Sequence, residues 1–225
     1  VETICTQMDA AAKDLGIAIV GGHCESTPGL TNPIVVGCVM GLTEKGRYVT
    51  AGGAKAGDEL ILTKSAGIEG TAILASDRES ELKKTVSVTV LQKAKGLYGQ
   101  ISVVRDALTA YKTGGVHAMH DPTEGGVAGG IHEMADASGL GVKVFEDKVA
   151  VQPETAKICS HFKIDPLQLI SSGALLISAE VKSAEIIIER MKERKIQAAI
   201  IGDFLEDANE RLLVRKDRKI EALPR

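Results

Sequence analysis

His120-Asp121-Pro122-Thr123-Glu124-Gly125-Gly126 joins a short β-like run, Gly115 to Met119, to a helix-like one. In the segment that follows, Val127, Ile131, Met134 and Ala135 recur at helical spacing and share one face. A carboxylate, a hydroxyl and paired glycines therefore stand at a strand-to-helix junction. Glycine lets backbone N–H groups come close to an anion, and the start of a helix adds its positive end. Asp121 or Glu124 would then hold a cation shared with phosphates. The other reading is an Asp/Thr turn that caps the helix, with Thr123 as the cap. Spacing alone leaves both open.

Away from this junction the pattern alternates between periods of two and 3.6. Glu59 to Thr63, Gly141 to Phe145 and Ala174 to Ser178 read as strands, as do the late runs Ala198 to Ile201 and Arg211 to Val214, expected to join as a hairpin. The β-branched run Ile34 to Leu42 reads as a buried strand. Ile17 to Val20 is a shorter apolar run of the same kind. Helical spacing covers Val86 to Lys95, Val103 to Lys112 and Glu154 to Phe162. It returns in the stripe Val181, Ala184, Ile187, Ile188 and Met191. The expected class is α/β or α+β, a mixed sheet covered by helices. Val49 to Gly57 holds three glycines and little that packs, which makes it the domain boundary expected from sequence.

The chain has 225 residues, 44% hydrophobic and 25% charged, with a net charge of −3. That balance suits a globular protein and argues against nucleic acid as a dedicated partner, since phosphate neutralisation needs a basic surface. Aromatics are 3% with no Trp, so stacking platforms for single strands are lacking too. No apolar run is long enough to span a bilayer, and no membrane partner is expected. Cys5, Cys24, Cys38 and Cys159 are scattered without a C-x-x-C pair, the pattern of reduced thiols in a cytoplasmic protein. The first segment is helix-like from Thr3 to Leu15, with Gly16 where a helix would stop. The chain starts at Val1 inside that helix, as a piece of a longer protein would.

Three stretches, in order, resemble one superfamily. Gly21-Gly22-His23-Cys24-Glu25-Ser26-Thr27-Pro28-Gly29 is similar to the glycine-rich turn of the aminoimidazole ribonucleotide (AIR) synthase group. His120 to Gly126 is similar to its Asp-x-Thr-x-Gly-Gly loop. Leu169 to Ile177, with Ser171-Ser172-Gly173, resembles the strand entry of selenophosphate synthetase and its relatives. The nearest branch is that of the hydrogenase expression/formation protein E (HypE) and the AIR-synthase-related proteins beside it.

The resemblance implies an ATP- and magnesium-dependent enzyme that phosphorylates an amide-, carbonyl- or thiocarbamate-type oxygen, acting as a homodimer. The substrate, a small molecule or a protein-bound group, is not named by it. It implies residues 1–53 as the remaining part of an N-terminal, ATP-binding and dimerising domain, and residues 54–225 as the C-terminal domain. It also implies nucleotide contacts at Asp121, Thr123, Glu124, Gly125, Gly126, His23 and Glu25, with Asp121 and Glu25 on magnesium. Two departures stand out. HypE-like proteins carry a carboxylate in an Asn-Glu-Gly turn where Ser171-Ser172-Gly173 stands, and they end in a cysteine where this chain ends Leu223-Pro224-Arg225. These point away from hydrogenase maturation and toward a different substrate. The chain alone is expected to be inactive. The alternative is a non-catalytic scaffold or partner-binding module of a maturation complex.

Other residues have blander readings. His23, Cys24 and Glu25 tempt a zinc assignment, yet no second Cys/His pair completes four ligands. Gly67 to Gly70 lacks the Lys-Ser/Thr of a phosphate loop and reads as a tight turn before a helix. Cys24 is expected to be buried as a small hydrophobe. Arg215 to Lys219 is expected to be a solvated hairpin tip.

Overall fold

The computed structural model describes all 225 residues, which form two compact units, Val1–Arg47 and Tyr48–Arg225. In the first unit α1 (Glu2–Leu15) ends at Gly16, which takes the left-handed conformation (φ 67°) that a helix stop requires. Only Ala12 of its apolar face is buried. The strands expected at Ile17 to Val20 and Ile34 to Leu42 do not form. A strand exists only when a neighbour takes up its N–H and C=O groups, and no segment of this unit does so. Val36, Val39, Met40 and Leu42 are all exposed.

The second unit contains β1 (Glu59–Thr63), α2 (Ile68–Asp77), α3 (Glu79–Leu82), α4 (Val88–Gly96), α5 (Val104–Thr113), β2 (Val116–His120) and α6 (Gly126–Ser138). It continues through β3 (Gly141–Phe145), α7 (Pro153–Phe162), β4 (Leu176–Ala179), α8 (Val181–Glu193), β5 (Ala198–Leu205), β6 (Arg211–Val214) and β7 (Ile220–Ala222). Local chemistry explains several boundaries. Ser87 caps α4 by accepting from the Val90 N–H, and Pro153 opens α7 where its missing N–H costs nothing.

The seven strands form one mixed sheet in the order β2-β4-β1-β5-β3-β6-β7. All neighbours are antiparallel except β3 and β6, which run parallel. The hairpin expected between β5 and β6 is therefore corrected: β3 lies between them, and β6 turns into β7 instead. Arg215 to Lys219 is the tip of that β6–β7 hairpin, tied by Arg215 to Glu146 and Glu221.

Along β1 the side chains alternate between two layers. Leu60 and Leu62 face a core shared with Val127, Ile131, Met134 and Ala135 of α6, the four residues read from sequence as one helix face. Ile61 faces the opposite core, with Ala110 of α5 and Ala184, Ile187 and Met191 of α8. Burial of Ile131 and Met134 contributes roughly 1.5–3 kcal/mol each. A third cluster joins Ala75, Leu82, Leu91 and Ile158 from α2, α3, α4 and α7. No helix is long and apolar enough to cross a membrane.

The glycines ahead of β1 also pack, contrary to the sequence reading of that stretch. A Cβ on Gly52 would meet the Ala137 carbonyl oxygen at 2.7 Å, and Gly53 lies against the carbonyl of His117. Ala54 donates its N–H to Ser138 at the end of α6.

Candidate functional site

β2 delivers His120 to the rim of the sheet, and the chain crosses from there to α6. His120 Nε2 lies 2.5 Å from Glu133 Oε2 on α6, so the histidine is bound across the junction. Asp121, Thr123, Glu124 and Gly125 are exposed, whereas Pro122 is buried beneath them. No hydrogen bond or ion pair within the chain engages the carboxylate of Asp121 or of Glu124. The Thr123 hydroxyl reaches only the Asp121 carbonyl, at 3.4 Å.

The expected Asp/Thr cap is not what starts the helix. The cap position is Gly125, left-handed at φ 72°, and no side chain caps α6. Thr123 instead accepts from the Gly126 N–H through its carbonyl. A side chain cap needs an oxygen aimed at the first turn, and the left-handed glycine swings the preceding residues outward.

Gly126 is explained by packing. Its absent Cβ would stand 2.5 Å from the Leu169 carbonyl oxygen, 2.6 Å from that of Leu167 and 2.7 Å from the Gln168 carbonyl carbon. Ala128 donates its N–H to Leu167 at 2.9 Å. Protein carbonyls thus meet this part of the helix start. Gly130 one turn on makes room for Pro122.

The loop that covers the helix start continues into Ser171-Ser172-Gly173, so two separate sequence motifs meet. The buried Ser171 donates its N–H to the Pro122 carbonyl at 3.2 Å. Its Oγ donates to Leu169 and accepts from the Gly67 N–H at 2.7 Å. Gly67 is the left-handed residue before α2 (φ 73°), the tight turn expected there. Ser172 is half-buried at the front of the same turn.

Two side-chain clusters were not singled out from the sequence. Asp58 is buried and accepts from His117 Nδ1 at 2.8 Å and Ser178 Oγ at 2.6 Å. Lys55 Nζ lies 3.0 Å from His117 Nε2, on the other side of the ring. Lys64 follows β1 and pairs with the buried Asp106 of α5 at 3.2 Å. Neither set has adjacent members in sequence, and no spacing rule would have assembled them.

In the first unit His23 and Glu25 lie 3.5 Å apart and exposed. No group of three or more His, Cys, Asp or Glu side chains assembles anywhere as a metal cage. Magnesium suits such sparse ligation, because it commonly takes one or two carboxylates plus phosphate oxygens and water. Asp121 and Glu124, both unpaired on one loop, fit that donor set. Cys24 is exposed, against expectation; the buried thiol is Cys159. Burial, and secondarily the charge of Asp165, push that thiol up to about 11.

Residues 55–215, which contain this junction, match the family described as AIR synthase related protein, C-terminal domain. The chain belongs to that family. Its fold is that of the family's C-terminal domain. A putative hydrogenase expression/formation protein of Methanocaldococcus jannaschii is 26% identical over 203 residues, 89% of this chain and 58% of the relative. The carbamoyl dehydratase HypE of Rhizobium leguminosarum bv. viciae is 26% identical, covering 92% of this chain and 58% of its own length. The chain thus spans somewhat more than half of the curated relatives it matches. Among solved structures, a hydrogenase maturation protein HypE in complex with ATP superposes with a TM-score of 0.61 at 23% identity, over 78% of this chain and 52% of that one.

Proposed function

We propose that this chain is the C-terminal part of an ATP-dependent enzyme of the AIR synthase related family, and that the β2–α6 loop is its nucleotide-facing element. The observation that carries this reading is the pair of carboxylates, Asp121 and Glu124, exposed and unpaired on a loop whose rear is fully occupied by protein. Free carboxylates on a rigid support suit recruitment of a phosphate-bound cation. The HypE relative solved with ATP supports nucleotide as the ligand.

Bound ATP would supply a phosphoryl group that turns an amide-, carbonyl- or thiocarbamate-type oxygen into a leaving group. The chain's own part is positional. Asp121, with Glu124 beside it, would hold a magnesium ion that neutralises phosphate charge, and Thr123 offers a hydroxyl donor. Gly125 and Gly126 shape the loop that presents them. For His23 and Glu25 as nucleotide contacts the support is the turn motif alone. We read residues 1–53 as part of the ATP-binding, dimerising domain, and the working protein as a cytoplasmic homodimer.

Calorimetric titration of MgATP into the longest natural form of the protein tests the proposal. Saturable binding is expected. Absence of binding there would end it and leave a scaffold or partner-binding module as the standing alternative.

A further inference from the structure

Lys64 places its ammonium among three backbone carbonyls and a buried carboxylate. It adopts a left-handed backbone (φ 54°) just past β1, which turns its side chain inward. Its Nζ donates to the carbonyls of Gln100 at 3.2 Å, Ser102 at 2.9 Å and Gly173 at 2.6 Å. An ammonium has three protons, and these carbonyls take all three. Asp106, 1% exposed, then supplies the counter-charge at 3.2 Å, and its Oδ1 has no aligned hydrogen bond because no proton remains for it.

The three carbonyls belong to two segments. Gln100 and Ser102 lie in the connection into α5, and Gly173 is the turn beside the Asp121 loop. Gly173 needs its glycine: φ is +103°, and a Cβ would stand 2.9 Å from the Gln100 oxygen. Without a cation between them, the carbonyl of the buried Gly173 would lose its donor and face that of Gln100, an arrangement that costs free energy. Ser171 in the same turn holds the Pro122 carbonyl, so the chain of contacts runs from Lys64 through the turn to the loop that carries Asp121.

We infer that Lys64 is a positioning residue: its ammonium, held against the buried Asp106 and three carbonyls, fixes the Ser171–Gly173 turn that backs the Asp121 loop. The consequence for nucleotide binding rests on the function proposed above; the anchoring of the turn does not.

The test separates anchoring from general stability. Lys64→Met alone strands the buried Asp106 charge and should lower Tm by roughly 5–15 °C. Lys64→Met with Asp106→Leu removes both charges at similar volume and should recover most of that loss. In this double variant, amide exchange at Ser171 and Ala174 should still be faster than native by roughly tenfold or more, while exchange in α6 stays native. MgATP binding, where the native protein shows it, should weaken by about threefold to tenfold in this folded variant. Native exchange at Ser171 and Ala174 in the folded double variant would overturn the inference. If the double variant does not fold, Lys64→Ala titrated with ethylammonium serves: restored protection at those two amides supports the anchor, and none overturns it. Failure of the native protein to bind MgATP would sink the functional proposal and leave the exchange result standing.

Discussion

Gly126 and Leu169 approach so closely that a methyl group on the glycine would stand 2.5 Å from the leucine carbonyl oxygen. Within one step of each other in space, the β2–α6 junction and the loop before β4 thereby become a single rigid element. The exposed side chains of Asp121, Thr123 and Glu124 ride on it. Rigidity from behind and freedom in front are what a charge-presenting loop requires.

Gly126→Ala tests that approach. The new Cβ meets three backbone atoms that cannot rotate away, at a positive φ of 63°. A loss of about 2–4 kcal/mol is expected, seen as a Tm lower by roughly 5–15 °C. Gly139→Ala is the control: φ is similar at 66°, but nothing lies within 4 Å. Its cost should stay near 1 kcal/mol. Equal losses at the two positions would show strain alone, without the close packing.

Asp121→Asn keeps size and turn geometry but removes the charge. Tm should stay within about 1 °C, because the carboxylate has no partner in the fold to lose. In the longest natural form, MgATP affinity should fall by about tenfold, equivalent to ~1.4 kcal/mol. A variant that melts early yet binds MgATP normally would mark Asp121 as structural.

Cys159 gives a reactivity and a pH prediction. Cys5, Cys24 and Cys38 are exposed and Cys159 is buried, so a thiol reagent at neutral pH should label three sites quickly and the fourth only on unfolding. Burial raises the Cys159 thiol from its reference value of 9.0 to about 11, so the folded state prefers the protonated form. Its contribution to stability is complete below the unfolded value and is lost as pH rises from 9.0 to about 11. Comparing native protein with Cys159→Ser by thermal melts across that window checks the sign.

Glu59 predicts the opposite kind of variant. Burial first, then the charges of Glu185 and Asp203, hold its carboxyl above the ordinary carboxylate range. A raised acid favours the fold while protonated, and that advantage is lost as pH rises through the folded value. Once ionised, the group therefore opposes folding. Glu59→Gln should raise Tm by about 1–3 °C at pH 7, with the gain vanishing near pH 4. A gain that persists undiminished at low pH would point to packing instead of charge.

Much of the second unit is legible from residue spacing. Val127, Ile131, Met134 and Ala135 mark the buried face of α6 because a helix repeats every 3.6 residues, wherever the helix then goes. The strands β1, β3 and β6, the helices α5, α7 and α8, and the three motifs are local in the same sense, and the family follows from those motifs in their order. Pairing is not local. The late strands look like a hairpin in sequence, yet β3 enters between them, since register and neighbours are settled by burial across the whole sheet. Ile34 to Leu42 has strand composition and no ladder, because propensity cannot supply a hydrogen-bonding partner. That the glycine of position 126 is required by a neighbouring chain segment is not visible in the sequence, and only the placement of Leu167 to Leu169 shows it. Lys64, Asp106 and Gly173 lie 42 and 67 residues apart in succession, so their meeting exists only in three dimensions, where three carbonyl dipoles and one carboxylate must share a single buried charge.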